Sequence, residues 1–157
     1  MLIKITGSII VIAAALALSI THGKYEERRL RTIDGFIALL FHIKGQIDCY
    51  SLPINDILRS LSAKILSDCN SEEGAFSLCE LVENSRIYLN EESRRLLDDF
   101  CAEFGTVFRA EQISRTSHYI SELCEQRRTI ADECEKGKRI GGALYMCCSI
   151  GLLILLW

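Results

Sequence analysis

Proline is almost missing from this chain: Pro53 stands alone among 157 residues. A proline-rich linker or recognition tract is therefore excluded, and little stands in the way of long helices. Aromatic residues are also scarce, at 8%, while Leu, Ile, Glu and Arg abound, a balance that favours helix over strand. Basic charge is not in excess. Lys and Arg number 18 against 21 Asp and Glu, for a net charge of −3, and with Lys4 set aside the middle of the chain is more acidic still. A nucleic-acid surface needs the opposite field, so no nucleic-acid partner is expected. Internal repeats, low-complexity tracts and long linkers are absent, and the length leaves room for one domain of modest core.

The chemistry-bearing motifs are missing as well. There is no glycine-rich phosphate loop, no Gly-x-Ser-x-Gly and no His-Glu-x-x-His. Eight cysteines are present, yet no Cys-x-x-Cys occurs, and His22, His42 and His118 do not sit at ligand spacing to any cysteine. Cys69, Cys79, Cys101 and Cys124 fall at or beside apolar helix positions, where a reduced thiol acts as a small hydrophobe. Acyl attachment to a membrane-facing cysteine such as Cys147 or Cys148 stays open. His42 lies near an apolar stripe and reads as a packed or surface histidine, and the carboxylates sit in runs that resemble solvated helix faces. The expectation is a non-enzyme without cofactor or metal.

Two long stretches lack charge altogether. Ile140 to Trp157 is apolar on every face; as a helix at roughly 1.5 Å per residue it spans about 27 Å, close to the hydrocarbon thickness of a bilayer. Lys136, Lys138 and Arg139 precede it, and Trp157 suits the membrane–water interface. Near the start, Ile5 to Ile20 is uncharged and is followed by Lys24, Arg28, Arg29 and Arg31. A cleaved signal peptide, with Ala15-Leu16-Ala17 as its processing site, competes with a retained membrane helix here. The basic cluster following the segment outweighs Lys4 and favours retention with the middle of the chain cytoplasmic. The basic flank of the second span points the same way. The expected organisation is a membrane helix over 1–22, a cytoplasmic helical bundle over 23–138 and a second membrane helix over 139–157. Neither uncharged stretch, Ile5 to Ile20 or Ile140 to Trp157, carries an Asp, Glu, Lys, Arg or His, which argues against a proton or ion path through this subunit. Ala13 with Ala17, and Cys147 with Gly151, place small residues at helix-packing intervals, leaving room for a homo-oligomer.

Between the spans, apolar periodicity predicts five helices. Ile33, Phe36, Ile37, Leu40, Ile43 and Ile47 form one stripe on a helix over Tyr25 to Ile47 that continues from the first span. Gly35 and Gly45 weaken that helix unless kinking or close packing calls for them. Residues 48–52 form a turn, Pro53 opens a second helix, and Ile54, Ile57, Leu58, Leu61 and Ile65 are its buried face. Residues 70–74 read as a loop. A short third helix has Phe76, Cys79, Leu81 and Val82 apolar. Asn90 before Glu91-Glu92 caps a fourth helix, lined by Leu96, Leu97, Phe100 and Phe104 and ended by Gly105. The last helix runs from about Ala110 through Ile113, Ile120, Leu123 and Ile130 into the final span. Its charged middle, including Glu122, Glu125, Arg127, Arg128, Asp132, Glu133 and Glu135, reads as a solvated stalk.

Residue by residue, this arrangement resembles the stage III sporulation protein AB family over nearly the whole chain. Arg29-Leu30-Arg31, then Ile33, Leu40, Ile43 and Gln46-Ile47, resembles its first helix, where a glutamate usually stands at the Gln46 position. Leu52-Pro53 with Ile57-Leu58 is similar to its Leu-Pro-x-x-Leu turn and helix. Phe100 to Gln112 resembles its Phe-Gly-x-x-Leu-Gly…Gln segment, with Gly105 and Gln112 in place. The chain departs from the pattern at Cys101 (first glycine), Phe104 (leucine), Cys79 (commonly tryptophan), and Val107 and Phe108 (commonly polar or acidic). The resemblance implies a non-enzymatic membrane platform in the channel complex linking mother cell and forespore. Its soluble domain would be similar to the cytoplasmic domain of platform protein F of type II secretion systems. The implied partners are membrane lipid, a cytoplasmic secretion-type ATPase and other membrane proteins of the channel, in the mother-cell membrane around the forespore. A generic two-span helical adaptor and a membrane thiol-redox protein are the rival readings.

Overall fold

The computed structural model describes residues 2–50, 54–71 and 77–156, with backbone alone at 2–6, 8–12, 15, 16, 18, 50, 54, 55, 138–140, 142–150 and 152–156. Among the described residues the secondary structure is entirely helical: α1 (Leu2–Tyr50), α2 (Ile54–Arg59), α3 (Ala63–Asp68), α4 (Leu78–Asn84), α5 (Glu91–Glu103) and α6 (Arg109–Leu156). The chain divides into two units. One is formed by Met1–Glu27 with Ala131–Trp157, the other by Arg28–Ile130.

In the terminal unit, the Thr21 hydroxyl donates to the Ala17 carbonyl one turn earlier (3.1 Å). The buried Cys134 thiol donates to the Glu26 carboxylate (Sγ···Oε2 2.8 Å). Ala13, Ala17 and Gly151 are exposed, and no described atom lies within 4 Å of where a Gly151 Cβ would stand. Among the described residues no helix is long and apolar enough to cross a membrane. The side chains that carry the two expected spans, among them Ile9, Cys147, Cys148, Leu152 and Trp157, lie outside the described residues.

The Arg28–Ile130 unit holds the core. Along α1, Ile33, Phe36, Leu40, Ile43 and Ile47 are buried at the predicted spacing, joined by Thr32 and Leu39, whereas Ile37 is half-buried. Full burial of such a side chain contributes about 1.5–3 kcal/mol. The two glycines of α1 differ. A Cβ on Gly35 would stand 2.9 Å from Asp68 Cβ and 3.1 Å from the Cys69 nitrogen, so α3 approaches α1 on bare backbone there. Among the described residues nothing from another element lies within 4 Å of a Cβ at Gly45.

The second predicted helix is two helices. α2 stops because the Ser60 hydroxyl donates back to the Ile57 carbonyl (2.7 Å) while the Ser60 N–H reaches both Asp56 and Ile57 carbonyls (3.1 Å each). With that hydroxyl proton engaged, His42 Nε2–H donates to Ser60 Oγ (3.1 Å) and ties the stop to α1. Ser62 then caps α3, accepting from the Ile65 N–H. Ile57, Leu58 and Leu61 are buried as expected, but Ile65, beyond the break, is only half-buried. The expected turn at 48–52 starts too early, since α1 continues through Tyr50; residues 51–53 and 72–76 lie outside the described residues, and with them Leu52, Pro53, Phe76 and most of the expected loop at 70–74.

α3 ends in the paired bonds of a Schellman motif, Ser71 N–H to Leu66 O (2.9 Å) and Asn70 N–H to Ser67 O (3.1 Å). Asn70 takes the left-handed position at φ 55°, a conformation asparagine tolerates better than most residues. α4 buries Leu78, Leu81 and Val82. Cys79, expected on its apolar face, is exposed; a helix of this length buries one narrow stripe, and Leu78 and Leu81 occupy it. Asn90 caps α5 as predicted, accepting from Ser93 N–H (2.9 Å). Leu97 and Phe100 are buried, with Leu96 and Phe104 at the margin. α6 buries Ile120, Leu123 and Ile130. Its charged middle is mostly exposed, although Arg127 forks onto Asp34 of α1 (2.6 and 3.2 Å).

Candidate functional site

The α5–α6 connection gathers the residues that the motif reading singled out. α5 ends at Glu103. Phe104 follows in an extended conformation (φ −63°, ψ 127°) and Gly105 has φ +81°, the angles of a type II turn. The turn is closed by Thr106 N–H to the Glu103 carbonyl (3.2 Å), to which the Thr106 hydroxyl also donates (2.7 Å). Among the described residues no atom of another element stands within 4 Å of a Gly105 Cβ, so glycine serves there for its backbone angle and not for space. The Gly105 N–H donates to Gln112 Oε1 (3.1 Å), and Gln112 is buried at 5% exposure. Gly105 and Gln112, picked out separately in the sequence, thus form one latch across the turn.

The latch is backed by a polar and aromatic cluster. Arg115 bridges Glu103 (2.9 Å) and Glu111 (2.7 and 3.1 Å), and these hydrogen bonds raise the guanidinium pKa further. The Tyr119 hydroxyl donates to the same Glu103 carboxylate (3.2 Å). Burial, and then that hydrogen bond, push its pKa above the usual phenol value. Phe100 lies 5.3 Å from Tyr119 edge-on and 5.2 Å from Phe104. Glu103, Glu111, Arg115 and Tyr119 are tied to one another and Gln112 to Gly105, an arrangement that fixes the shape of the turn. Outside this support, Phe108 is 88% exposed, beside the exposed Thr106 and half-buried Val107. Arg109 anchors the start of α6 by donating to the Asp48 carbonyl of α1.

The expected basic flank divides between two settings. Lys24 and Lys136 are exposed, while the side chains of Lys138 and Arg139 lie outside the described residues. Arg28 instead works inside the fold. Its guanidinium donates to Asn70 Oδ1 (2.9 Å) and the Ser67 carbonyl (3.4 Å), and sits 5.8 Å from the Tyr88 ring centre. Asn70 passes the link on by donating to the Asn84 carbonyl (3.0 Å), and the buried Ser85 hydroxyl donates to the Cys69 carbonyl (2.5 Å). Arg31 is exposed near Asp68 (3.9 Å), and Arg29 is half-buried. This joint of α1, α3 and α4 had no signal in the sequence beyond an Asn at a helix end.

The cysteines also separate. Burial, then the neighbouring Asp68, push the Cys69 thiol up to about 12, which keeps it protonated and inert. Cys79 is exposed on α4, whereas Cys101 is half-buried on α5, and burial raises its thiol pKa well above the ordinary value. Among the described residues no group of three His, Cys, Asp or Glu side chains could hold a metal ion.

The model of the family described as stage III sporulation protein AB matches residues 4–157. The chain belongs to the stage III sporulation protein AB family. No curated protein and no solved structure matches it. The family match runs through both units and across the latch. Gly105 and Gln112, which the resemblance singled out, are here two halves of one backbone lock. Leu52 and Pro53, the other motif pair, lie outside the described residues.

Proposed function

We propose that this sporulation protein is a non-enzymatic membrane platform of the channel complex between mother cell and forespore. In this reading residues 23–138 face the mother-cell cytoplasm, the helices at 1–22 and 139–157 are anchored in lipid, and the α5–α6 turn is offered to a secretion-type ATPase. The observation that carries it is the Gly105–Gln112 latch. Residues of the family motif are engaged in holding a loop that exposes Phe108, and a fixed loop with an exposed aromatic is suited to recognition. α1 runs as one helix from Leu2 to Tyr50 and α6 as one from Arg109 to Leu156. An unbroken helix is a semi-rigid spacer, where a Gly/Ser segment would be a flexible coil.

The test uses the full chain in sporulating cells. Phe108→Ser should leave the protein folded and membrane-associated but lose the ATPase from a pull-down and block spore formation. Inserting a flexible Gly-Ser segment after Lys136 should spare folding and insertion yet abolish channel function. Normal ATPase capture by the Phe108→Ser protein would remove the turn from the mechanism. Labelling of introduced cysteines in 25–135 by a membrane-impermeant reagent on intact cells would overturn the topology.

A further inference from the structure

One contact sets the register of the terminal unit. The start of α1 and the end of α6 make up that unit, so the two helices run antiparallel in it. Between them the Cys134 thiol meets the Glu26 carboxylate (Sγ···Oε2 2.8 Å). Counted from that pair, Ile20 lies six residues back along α1 and Ile140 six residues on along α6, both about 9 Å away along the helix axes. The two uncharged stretches therefore begin at one level. Gly23 and Gly137 also share a level, each three residues from the contact and so on the contact side of its helix. Both are half-buried, and among the described residues no atom of another element stands within 4 Å of a Cβ at either. The seam is open there. Lys24 and Lys136, both exposed, stand beside the glycines at matching positions, and Lys138 and Arg139 follow on α6. The nearest carboxylates, Glu26, Glu27, Glu133 and Glu135, lie past the lysines, on the side away from the uncharged stretches.

We propose that the open seam at Gly23 and Gly137, with its collar of Lys24, Lys136, Lys138 and Arg139, holds the headgroup of an anionic phospholipid such as phosphatidylglycerol. The inference rests on the platform reading, in which these helices enter lipid, and adds a ligand to it. Where an uncharged helix pair leaves the hydrocarbon, the first polar layer it meets is that of the lipid phosphates. From Ile20 to Lys24 on one helix, and from Lys136 to Ile140 on the other, the chain carries basic side chains and no acid. The field at that level is therefore positive although the chain as a whole has a net charge of −3. Two glycines at the same level replace side chains by bare backbone and leave a headgroup room between the helices. Long lysine stems lie along the apolar surface and bring their ammonium groups to the phosphate. A phosphatidylcholine headgroup carries its own cation, which the collar repels; an anionic headgroup has none.

The full chain is placed in nanodiscs of phosphatidylcholine with a minor share of phosphatidylglycerol, and the lipid it retains after gentle extraction is identified by native mass spectrometry. Retained lipid should be about tenfold richer in phosphatidylglycerol than the disc. Lys24→Gln with Lys136→Gln should remove most of that enrichment, at about fivefold for each charge beside an anionic layer. Gly23→Leu with Gly137→Leu, which keeps every charge and fills the seam, should lower it too. Arg86→Gln with Arg95→Gln takes as many charges from exposed pairs elsewhere and should leave it unchanged. Inorganic phosphate should not displace the lipid. Equal retention of the two lipids, undiminished enrichment in the lysine or the glycine variant, an equal loss in the Arg86 and Arg95 variant, or displacement by inorganic phosphate overturns the proposal. A chain that enters the disc without selecting lipid removes this inference alone, whereas one that stays out of the disc removes the platform reading with it.

Discussion

Two joints of the Arg28–Ile130 unit solve the same problem, ending one helix and starting another, by different means. At the α3–α4 joint the polar groups turn inward. Asn70, Ser85 and Arg28 are knotted to backbone carbonyls, and Gly35 lets α3 rest on α1. At the α5–α6 joint the lock is a single glycine angle and one buried amide, and the aromatic residue it supports is turned outward. A joint whose described polar groups are tied to neighbouring helices serves the core. The other is fixed and still exposes an aromatic, which is why the proposed partner contact is placed there.

The largest effect that would sharpen this comparison lies at the inward joint. Gly35→Val has to displace the Asp68–Cys69 backbone and should cost about 3 kcal/mol, near the upper end for overpacking. Gly45→Ala, on the same helix with free space around it, should gain up to about 1 kcal/mol. Urea melts of the isolated 25–135 segment compare the two; equal effects would mean that the close approach at Gly35 is absent in solution.

Alkali should act on the inward joint next. Cys69 titrates at about 12 in the folded chain against an ordinary value of 9.0. The unfolded state therefore releases this proton first as pH rises. The stabilising effect of the raised pKa is complete below pH 9 and is lost progressively toward 12, by up to about 1.4 kcal/mol per pH unit. Cys69→Ala should flatten that part of the stability–pH curve, and an unchanged slope would assign it to other groups.

At the outward joint, Gly105→Ala strains a positive φ and should cost about 1–2 kcal/mol. Gln112→Leu, which leaves the Gly105 N–H to water, should cost about 1 kcal/mol. The double variant should cost less than the sum, since both break one latch, and strict additivity in a double-mutant cycle would separate the two residues. The smallest effect belongs to the surface: breaking the half-exposed Asp34–Arg127 pair should cost no more than about 1 kcal/mol and less at high salt.

Local signals carried far in this chain. The α1 stripe, the Asn90 cap and the stop at Gly105 are written within a few residues, because caps and helix faces are set by neighbours one turn away. The break between α2 and α3 was legible in principle, since Ser62 stands three residues before Ile65 as a helix cap does. It was masked because Ile57, Leu58, Leu61 and Ile65 keep helical spacing across the break. Cys79 was assigned to the wrong face because a short helix offers too few positions to fix one.

The sequence by itself determined the all-helical class, the charge-free ends, the family and the importance of Gly105 and Gln112. Only the tertiary structure decided that these two residues are one contact, that Gly35 meets another helix and that Arg28 serves the core. Each of those facts joins residues from different helices. Periodicity fixes which face a residue occupies, whereas the partner across that face is chosen by how whole helices pack.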